Sequence, residues 1–265
     1  MKVTEIHQGA VLLRCPTEHV AVVTLNRPEA RNAVNTELAQ SLDAVVKALE
    51  ADPQIRAVVL TGQGDRAFCA GANLKEVAVT GTGTGRSTPD GGFAGFVASR
   101  RRKVWIAAVN GPALAGGFEI MLACDFALCV PQAVFGLPEV KRGLAATAGG
   151  LFRLPRRIPR GRALELIATG DTITAEEALS WGLVNQVVPY DQLLPRCLEV
   201  AQRIAANAPL SVMWSLELAR EAHSSDESDF WVKAQELTQR IRATEDSYEG
   251  PRAFAEKRPA QWKGR

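Results

Sequence analysis

A chain of 265 residues is long enough for one large α/β domain, or for a core with an appended helical piece. Hydrophobic residues make up 46% and charged residues 23%, a composition typical of globular proteins in water. The formal net charge of +2 provides no electrostatic case for binding nucleic acid or a membrane surface, because acidic residues elsewhere balance the basic clusters at 100–103 and 153–160.

Strands are predicted first along the chain, where apolar β-rich runs end at turn residues. The three clearest runs are Val20–Leu25, 56–61 and Val104–Val109. Between the first two, apolar residues at helical spacing predict a helix, with Thr36 as its cap. These residues are Leu38, Leu42, Val45, Val46 and Leu49.

Two short strands, 125–130 and 133–135, are predicted next, and helical patterns then follow at 161–169, 174–181 and 191–207. Strands alternating with helices indicate an α/β fold. Because the chain is almost entirely helical in pattern from about residue 191, we expect a core over 1–190 and a helical region over 191–265.

Segment 79–95 is rich in Gly and Thr and predicts a mobile surface loop, which in one interpretation covers a site. The alternating glycines and threonines of 81–85 superficially resemble a phosphate-binding loop. No strand precedes it, however, and the chain has neither GxxxxGK[ST] nor GxGxxG with an acidic partner. A nucleotide site is therefore not favoured.

The cysteines are odd in number, scattered and without a CxxC pair, and they predict buried thiols in a reducing cytosol. They are Cys15, Cys69, Cys124, Cys129 and Cys197. No apolar stretch reaches the length of a membrane span, and residues 1–6 lack the apolar block of a secretion signal. We expect a cytoplasmic protein.

Two glycine-rich segments, 61–74 and 109–119, share one layout, in which an apolar strand turns on glycines and reaches Ala-Gly before a helix-like stretch. Single glycines often mark turns for conformational reasons alone. The duplication, with Gly71 matched by Gly116 and Gly117, favours backbone N–H groups that a ligand can approach.

Two carboxylates accompany these segments. Glu119 has only apolar neighbours, and the residues alone leave open a catalytic acid or a glutamate at a helix start that faces water. Glu139, next to Lys141 and Arg142, fits a first-turn glutamate when it is considered in isolation. Together with exposed N–H groups, however, two carboxylates are what proton transfer around an oxyanion needs.

Other catalytic classes are less favoured. The only histidines, His7, His19 and His223, lie far from the glycine-rich turns, which speaks against Ser-His or Cys-His nucleophiles and histidine metal sites. The phosphate loops of pyridoxal phosphate and hydride-transfer enzymes are also missing. The catalytic class that remains is acid–base chemistry on an activated carbonyl, without a metal or a cofactor.

In this order the motifs resemble the crotonase (enoyl-CoA hydratase/isomerase) superfamily over nearly the whole chain. The matching segments are 25–28 with Asn32-Ala33, 67–72, 115–119, 135–139, Gly149-Gly150, Ala178 with 181–184, and 254–258. Within the superfamily, 91–95, 117–119 and 262–265 look most like the carnitinyl-CoA dehydratase (crotonobetainyl-CoA hydratase) subgroup.

The resemblance implies a spiral of repeated ββα units, with C-terminal helices that pack trimers, often paired into hexamers. It implies an oxyanion hole for the thioester oxygen, formed by the backbone N–H groups of Ala72 and Gly116. By the same analogy, Glu119 activates the water that adds at Cβ, and Glu139 supplies the proton to Cα.

For the coenzyme A part of the substrate, the resemblance implies two further groups of residues. The first is Arg27, Ala30, Ala70, Ala72, Asn73, Leu74 and Lys75, and the second, reaching across a subunit contact, is Phe254 and Lys257. The chain departs from the family where Asn73 replaces the usual Asp and Ala146 the usual Pro.

Retention of both glutamates favours an enoyl-CoA hydratase that acts reversibly on a 2-enoyl-CoA thioester, without a cofactor other than the coenzyme A of the substrate. Two alternatives are a Δ3-Δ2-enoyl-CoA isomerase that uses one of the acids, and a non-catalytic acyl-CoA-binding member of the fold.

Overall fold

The computed structural model of the protein describes residues 9–73, 85–222 and 226–265. Eleven strands lie in these ranges. They are β1 (Val11–Thr17), β2 (Val20–Leu25), β3 (Ala57–Gly62), β4 (Ser87–Thr88), β5 (Gly92–Phe93), β6 (Val104–Val109), β7 (Ala113–Leu114), β8 (Phe126–Cys129), β9 (Val134–Gly136), β10 (Thr172–Thr174) and β11 (Gln186–Val187).

The same ranges contain nine α-helices and two 3-10 turns, Pro28–Ala30 and Pro138–Arg142. The helices are α1 (Thr36–Ala51), α2 (Gly116–Ala123), α3 (Gly150–Arg157), α4 (Arg160–Thr169), α5 (Ala175–Ser180), α6 (Tyr190–Ala205), α7 (Pro209–Arg220), α8 (Glu227–Arg242) and α9 (Asp246–Ala255). The α/β class is confirmed, and strands paired in parallel alternate with helices as in ββα units.

The central sheet has the order β1-β2-β3-β6-β8-β11. β1 and β2 form an antiparallel pair, and every other neighbouring pair is parallel. All residues of β2 and β6 are buried, which is why these strands are continuous apolar runs rather than alternating ones. The three strands predicted from apolar runs are therefore confirmed, and β1, which was not predicted, lies at the sheet edge.

Helix α1 buries the predicted apolar residues, but its cap differs from the prediction. The side chain of Asn35, rather than Thr36, accepts a hydrogen bond from the Leu38 N–H at 2.9 Å. Thr36 is already the first residue of the helix, and a cap must precede it with extended backbone, as Asn35 does with φ −113° and ψ −178°.

A second sheet, with the order β10-β9-β7, holds the residues around the candidate site. The two strands predicted near residue 130 exist, but they belong to different sheets, because β8 joins the central sheet and β9 pairs with β7 and β10. The turn between β8 and β9 thus carries the chain from one layer to the next.

The predicted mobile loop over 79–95 lies in part, at 79–84, outside the described residues. From residue 85 the segment is packed against α1, contrary to the prediction. β4 and β5 pair there, Ala94 is fully buried, and the Thr88 hydroxyl donates to Asp43 of α1 at 2.7 Å. Lys47 of α1 also forms an ion pair with Asp90 at 2.8 Å.

The helical character of the chain after residue 190 is confirmed by α6 to α9, and α4 and α5 lie where helices were predicted. α6 packs across β2, β3, β6 and β8, whereas α7 contacts α8. The division of the chain into a core over 1–190 and an oligomerisation region over 191–265 stays a prediction.

Four of the five cysteines are buried, Cys15 is partly buried, and all five are free thiols. Within the ranges that the structure describes, no helix combines the length and apolar character needed to cross a bilayer.

Candidate active site

The two glycine-rich segments lie side by side in parallel. A bridge pairs Cys69 with Ala113, and the Leu114 N–H donates to the Cys69 carbonyl oxygen at 3.1 Å. Counted from this pair, Ala72 and Gly116 are each three residues further along, so the register matches the two predicted oxyanion residues with each other.

Gly71 allows this close approach. Its φ is +88°, and a Cβ on it would lie 2.9 Å from the Ala115 Cβ and 3.0 Å from the Gly116 nitrogen. The backbone next to Ala72 therefore lies directly against the start of α2, and a side chain at residue 71 would separate the two segments.

Neither candidate oxyanion donor has an acceptor in the part of the chain that the structure describes. Val34 bonds to the two neighbours of Ala72, donating to the Gly71 oxygen at 2.8 Å and accepting from the Asn73 N–H at 2.9 Å. In this parallel pattern the Ala72 N–H points away from Val34. Among the described residues neither this N–H nor that of Gly116, the first residue of α2, has an acceptor. Unpaired N–H groups at a helix start are suited to binding an anion.

Helix α2 begins abruptly and carries Glu119 in its first turn. Ala115 precedes the helix with a positive φ of 52°, and a Cβ on Gly117 would lie 2.0 Å from the Cys69 oxygen. The glycine is required because the helix start packs directly on the backbone of the first glycine-rich segment.

Glu119 is only 3% exposed. Its Oε1 accepts a hydrogen bond at 2.9 Å from the N–H of Gly150, the first residue of α3. Burial, with a smaller effect of the Glu139 charge, raises the pKa of Glu119 to about 7, although the N–H groups of Gly150 and Ala148 and the Arg153 guanidinium oppose the rise. The interpretation of Glu119 as a water-facing helix-start residue is excluded by this burial.

Glu139 lies in the 3-10 turn Pro138–Arg142, and burial raises its pKa while Arg142 opposes the rise. Its Oε2 is buried and has no hydrogen-bond partner among the described residues. The turn that follows β9 thus carries a second, partly buried carboxyl, and its charge raises the pKa of Glu119.

Two buried asparagines brace the loop that leads to Ala72, and their role was not predicted. The Asn32 amide donates to the carbonyl oxygens of Gln63 at 3.1 Å and Ala67 at 2.9 Å. The Asn110 amide donates to Gly64 at 2.6 Å and also to Ala67 at 3.3 Å. Both asparagines stand in quoted motifs, but only the folded loop reveals that they converge on one carbonyl.

The residues predicted for coenzyme A fall into separate parts of the chain. Arg27 and Ala30 lie in one segment, Ala70 and Asn73 in a second, and the Val34–Ala72 bridge joins the two segments. The Arg27 guanidinium donates to the Ala33 oxygen at 2.6 Å, and the Ala70 N–H to the Arg31 oxygen at 3.0 Å.

Phe254 and Lys257, the other predicted coenzyme A residues that the structure describes, lie near the C-terminal end of the chain. Phe254 is 88% exposed on α9, and Lys257 follows the end of that helix. Leu74 and Lys75 lie outside the described residues, as do His7 and His223.

A cavity of about 1110 Å³ lies elsewhere, lined by residues of α3, α7 and the turn after α2. Its lining includes Arg153, and several of its other basic side chains are engaged. Arg101 donates to the Ala123 oxygen at 2.7 Å, and Arg220 binds both oxygens of Asp125 at 2.8 Å. The volume of this cavity therefore says nothing about the two glutamates, which do not line it.

Two N–H groups that have no acceptor among the described residues, a buried carboxyl and a half-buried one lie on a scaffold of ββα units, and such a set of groups is suited to acid–base chemistry. The chain belongs to the enoyl-CoA hydratase/isomerase family, whose model matches residues 16–265.

Similar proteins agree with this assignment. The chain is 40% identical to carnitinyl-CoA dehydratase of Escherichia coli O157:H7, over 92% of this chain and 94% of that protein. It is 38% identical to mevalonyl-coenzyme A hydratase sidH of Aspergillus fumigatus, over 98% of both. The crystal structure of enoyl-CoA hydratase from Mycobacterium tuberculosis H37Rv matches with a TM-score of 0.92 at 37% identity, covering 97% of this chain and 100% of that one.

Proposed function

We propose that the protein is an enoyl-CoA hydratase that adds water reversibly to a 2-enoyl-CoA thioester. The observation that carries the proposal is the register of Ala72 with Gly116, whose N–H groups have no acceptor among the described residues, together with the buried Glu119 one turn after Gly116. A thioester oxygen between these two donors gains negative charge in the enolate-like state, which the donors stabilise more than the ground-state carbonyl.

In this proposal the two glutamates share one proton. Burial and the charge of Glu139 favour the proton on Glu119, whereas the Gly150 N–H favours the ionised form of Glu119. The reactive arrangement has Glu119 ionised and the proton on Glu139, and the proton returns to Glu139 after each turnover. Glu119 takes a proton from the water molecule as the water oxygen bonds to Cβ of the thioester. The double-bond electrons move onto the thioester oxygen and return as Cα takes the proton of Glu139. Dehydration reverses these steps.

The direct test is the absorbance of the conjugated thioester when crotonyl-CoA is mixed with the protein. Hydration removes this absorbance. If the absorbance persists unchanged, the protein is a non-catalytic binder. If the absorbance appears instead when a 3-enoyl thioester is supplied, the protein is an isomerase.

Variants test the two-acid mechanism. Glu119→Gln and Glu139→Gln should each lower kcat by roughly 10²-fold or more while acyl-CoA binding survives. Glu165→Gln is the control, because Glu165 is exposed on α4 and paired only with Arg162. Full hydration by either site variant would contradict the mechanism.

The acyl group is a second part of the proposal. The resemblance to the carnitinyl-CoA dehydratase subgroup, and the relative of that name, support a short polar acyl group. Since a relative of nearly equal identity is named for mevalonyl-coenzyme A, turnover should be compared for crotonobetainyl, crotonyl, long-chain and aromatic enoyl thioesters and for dehydration of mevalonyl-CoA. Preference for a long-chain or aromatic thioester would contradict it.

We further propose that the coenzyme A moiety is bound by Arg27, Ala30, Ala70, Asn73, Leu74 and Lys75, with Phe254 and Lys257 supplied by a neighbouring subunit. The 88% exposure of Phe254, a large apolar side chain, supports a contact between copies in a homotrimer or a hexamer. Sedimentation velocity tests this, and a monomer that turns over substrate would contradict it. A cytoplasmic location is supported by the five free thiols.

A further inference from the structure

Arg153, on α3, connects two segments that surround the acids. Its guanidinium donates to the carbonyl oxygen of Val97 at 2.6 Å and to that of Ala148 at 3.3 Å. Val97 follows β5 in the chain. The ring of Phe93, in β5, lies against Gly116, because a Cβ built on Gly116 would be 2.5 Å from that ring. Ala148 belongs to the loop before α3. One side chain therefore links the wall beside Gly116 to the loop that leads to Gly150.

The loop is shaped to receive this guanidinium. Gly149 has a φ of +120°, and a Cβ on it would lie 2.2 Å from Arg153 Nη1. The guanidinium thus fills the space that a side chain at residue 149 would need. The next residue, Gly150, donates the N–H that binds the Glu119 carboxylate at 2.9 Å. Displacement of Arg153 would therefore move the group that orients Glu119.

Arg153 also acts on Glu119 through its charge. Its cation lowers the pKa of Glu119, against the effects of burial and of the Glu139 charge. Arg142 acts on Glu139, while Arg156, Arg157 and Cys124 act on Arg153 itself. Burial lowers the pKa of Arg153, but a guanidinium keeps its proton in proteins.

We propose that Arg153 is a positioning residue of the hydratase reaction, which holds the loop at Ala148–Gly150 so that the Gly150 N–H orients Glu119, and whose charge favours the ionised form of Glu119. This inference rests on the function proposed above. It assigns no contact between Arg153 and the substrate.

Two variants separate the two effects of Arg153. Arg153→Gln keeps hydrogen-bond donors and loses the charge, so the acid limb of the kcat profile should move to higher pH by roughly one unit. Arg153→Lys keeps the charge but lacks the planar fork that reaches two carbonyl oxygens. It should lower kcat by about 10-fold, with the acid limb in place and KM within about two-fold. Arg156→Gln, exposed on the same helix, is the control and should match the wild type.

A second measurement requires no turnover. The protonated-carboxyl infrared band of Glu119, assigned with Glu119→Gln, should titrate at higher pH in Arg153→Gln than in the wild type. Wild-type protein that leaves crotonyl-CoA unchanged would refute the proposed function, whereas the infrared titration still decides the effect of Arg153. Folded Arg153→Gln with an unmoved titration and wild-type kcat would overturn the inference. If Arg153→Gln does not fold, wild-type kcat in Arg153→Lys overturns it instead.

Discussion

Gly117 is the second residue of α2, and its replacement by alanine tests the contact that joins the two glycine-rich segments. The added Cβ would lie 2.0 Å from the Cys69 oxygen and 2.6 Å from the Cys69 carbonyl carbon. Both are backbone atoms, so relief requires the helix start or the neighbouring segment to shift by more than 1 Å, since ordinary contacts exceed ~3.2 Å. Overpacking of this kind costs about 1–3 kcal/mol, and we expect the upper end.

The shift would also move the Gly116 N–H relative to the Ala72 N–H. A misplacement of about 1 Å in a catalytic group costs up to ~10²-fold in rate. For a chain of this size, about 3 kcal/mol corresponds to a fall in Tm of roughly 6–12 °C. Gly117→Ala should therefore lose both thermal stability and crotonyl-CoA hydration.

Gly161→Ala is a matched control, because Gly161 is also the second residue of its helix, α4, and a Cβ there would meet nothing within 4 Å. Alanine at this position should leave turnover unchanged and raise stability by up to ~1 kcal/mol. Thermal scanning by circular dichroism and the hydration assay read out both variants. If Gly117→Ala matched the wild type in Tm and kcat, the packing of the two segments against each other would be refuted.

Three other predictions follow from the same structure. Because the charge of Glu139 raises the pKa of Glu119 above its ordinary value to about 7, Glu139→Gln should lower the pH at which the Glu119 carboxyl titrates by infrared spectroscopy, and an unmoved titration would contradict the coupling. Asn32→Ala removes both hydrogen bonds that the Asn32 amide donates to the loop before Ala70, and it should lower the free energy of unfolding in urea by about 2–4 kcal/mol. Asn207→Ala, at an exposed position, is the control and should change this free energy by less than ~0.5 kcal/mol. Burial raises the pKa of Cys69, Cys124, Cys129 and Cys197 to about 12, so a thiol reagent should label Cys15, which is only partly buried, first in the native protein. Rapid labelling of the Cys15→Ser variant would contradict this prediction.

The elements that were predictable from the sequence are those whose own residues carry the pattern. β2 and β6 are continuous apolar runs, and α1 has a clear apolar face. Helix α3 was not predicted, because it contains Pro155 and several arginines and buries only Gly150 and Leu154. Its existence depends on packing against α2 and α4 rather than on local periodicity.

The candidate site divides in the same way. Glu119 and the glycines before it are adjacent in the chain, so local chemistry indicated them as candidates, while the residues alone left the role of Glu119 open. The Gly150 N–H that binds Glu119 comes from 31 residues away, and the Val97 oxygen that anchors Arg153 from 56 residues away in the opposite direction. Such partners are brought together only by the layered packing of the two sheets, so no local pattern predicted them.

The parallel register of Cys69 with Ala113 has a consequence for how this scaffold diversifies. Neighbouring parallel strands are held about 4.8 Å apart by their own hydrogen bonds, whatever side chains they carry. The spacing of the two candidate donors follows from this backbone pairing and from the glycines at 71 and 117 that permit it, while the wall at Phe93 and the loop before Gly150 belong to other segments. Under the function proposed above, mutations that reshape those segments should change which acyl chain is accepted while the pairing that holds the two candidate donors is retained.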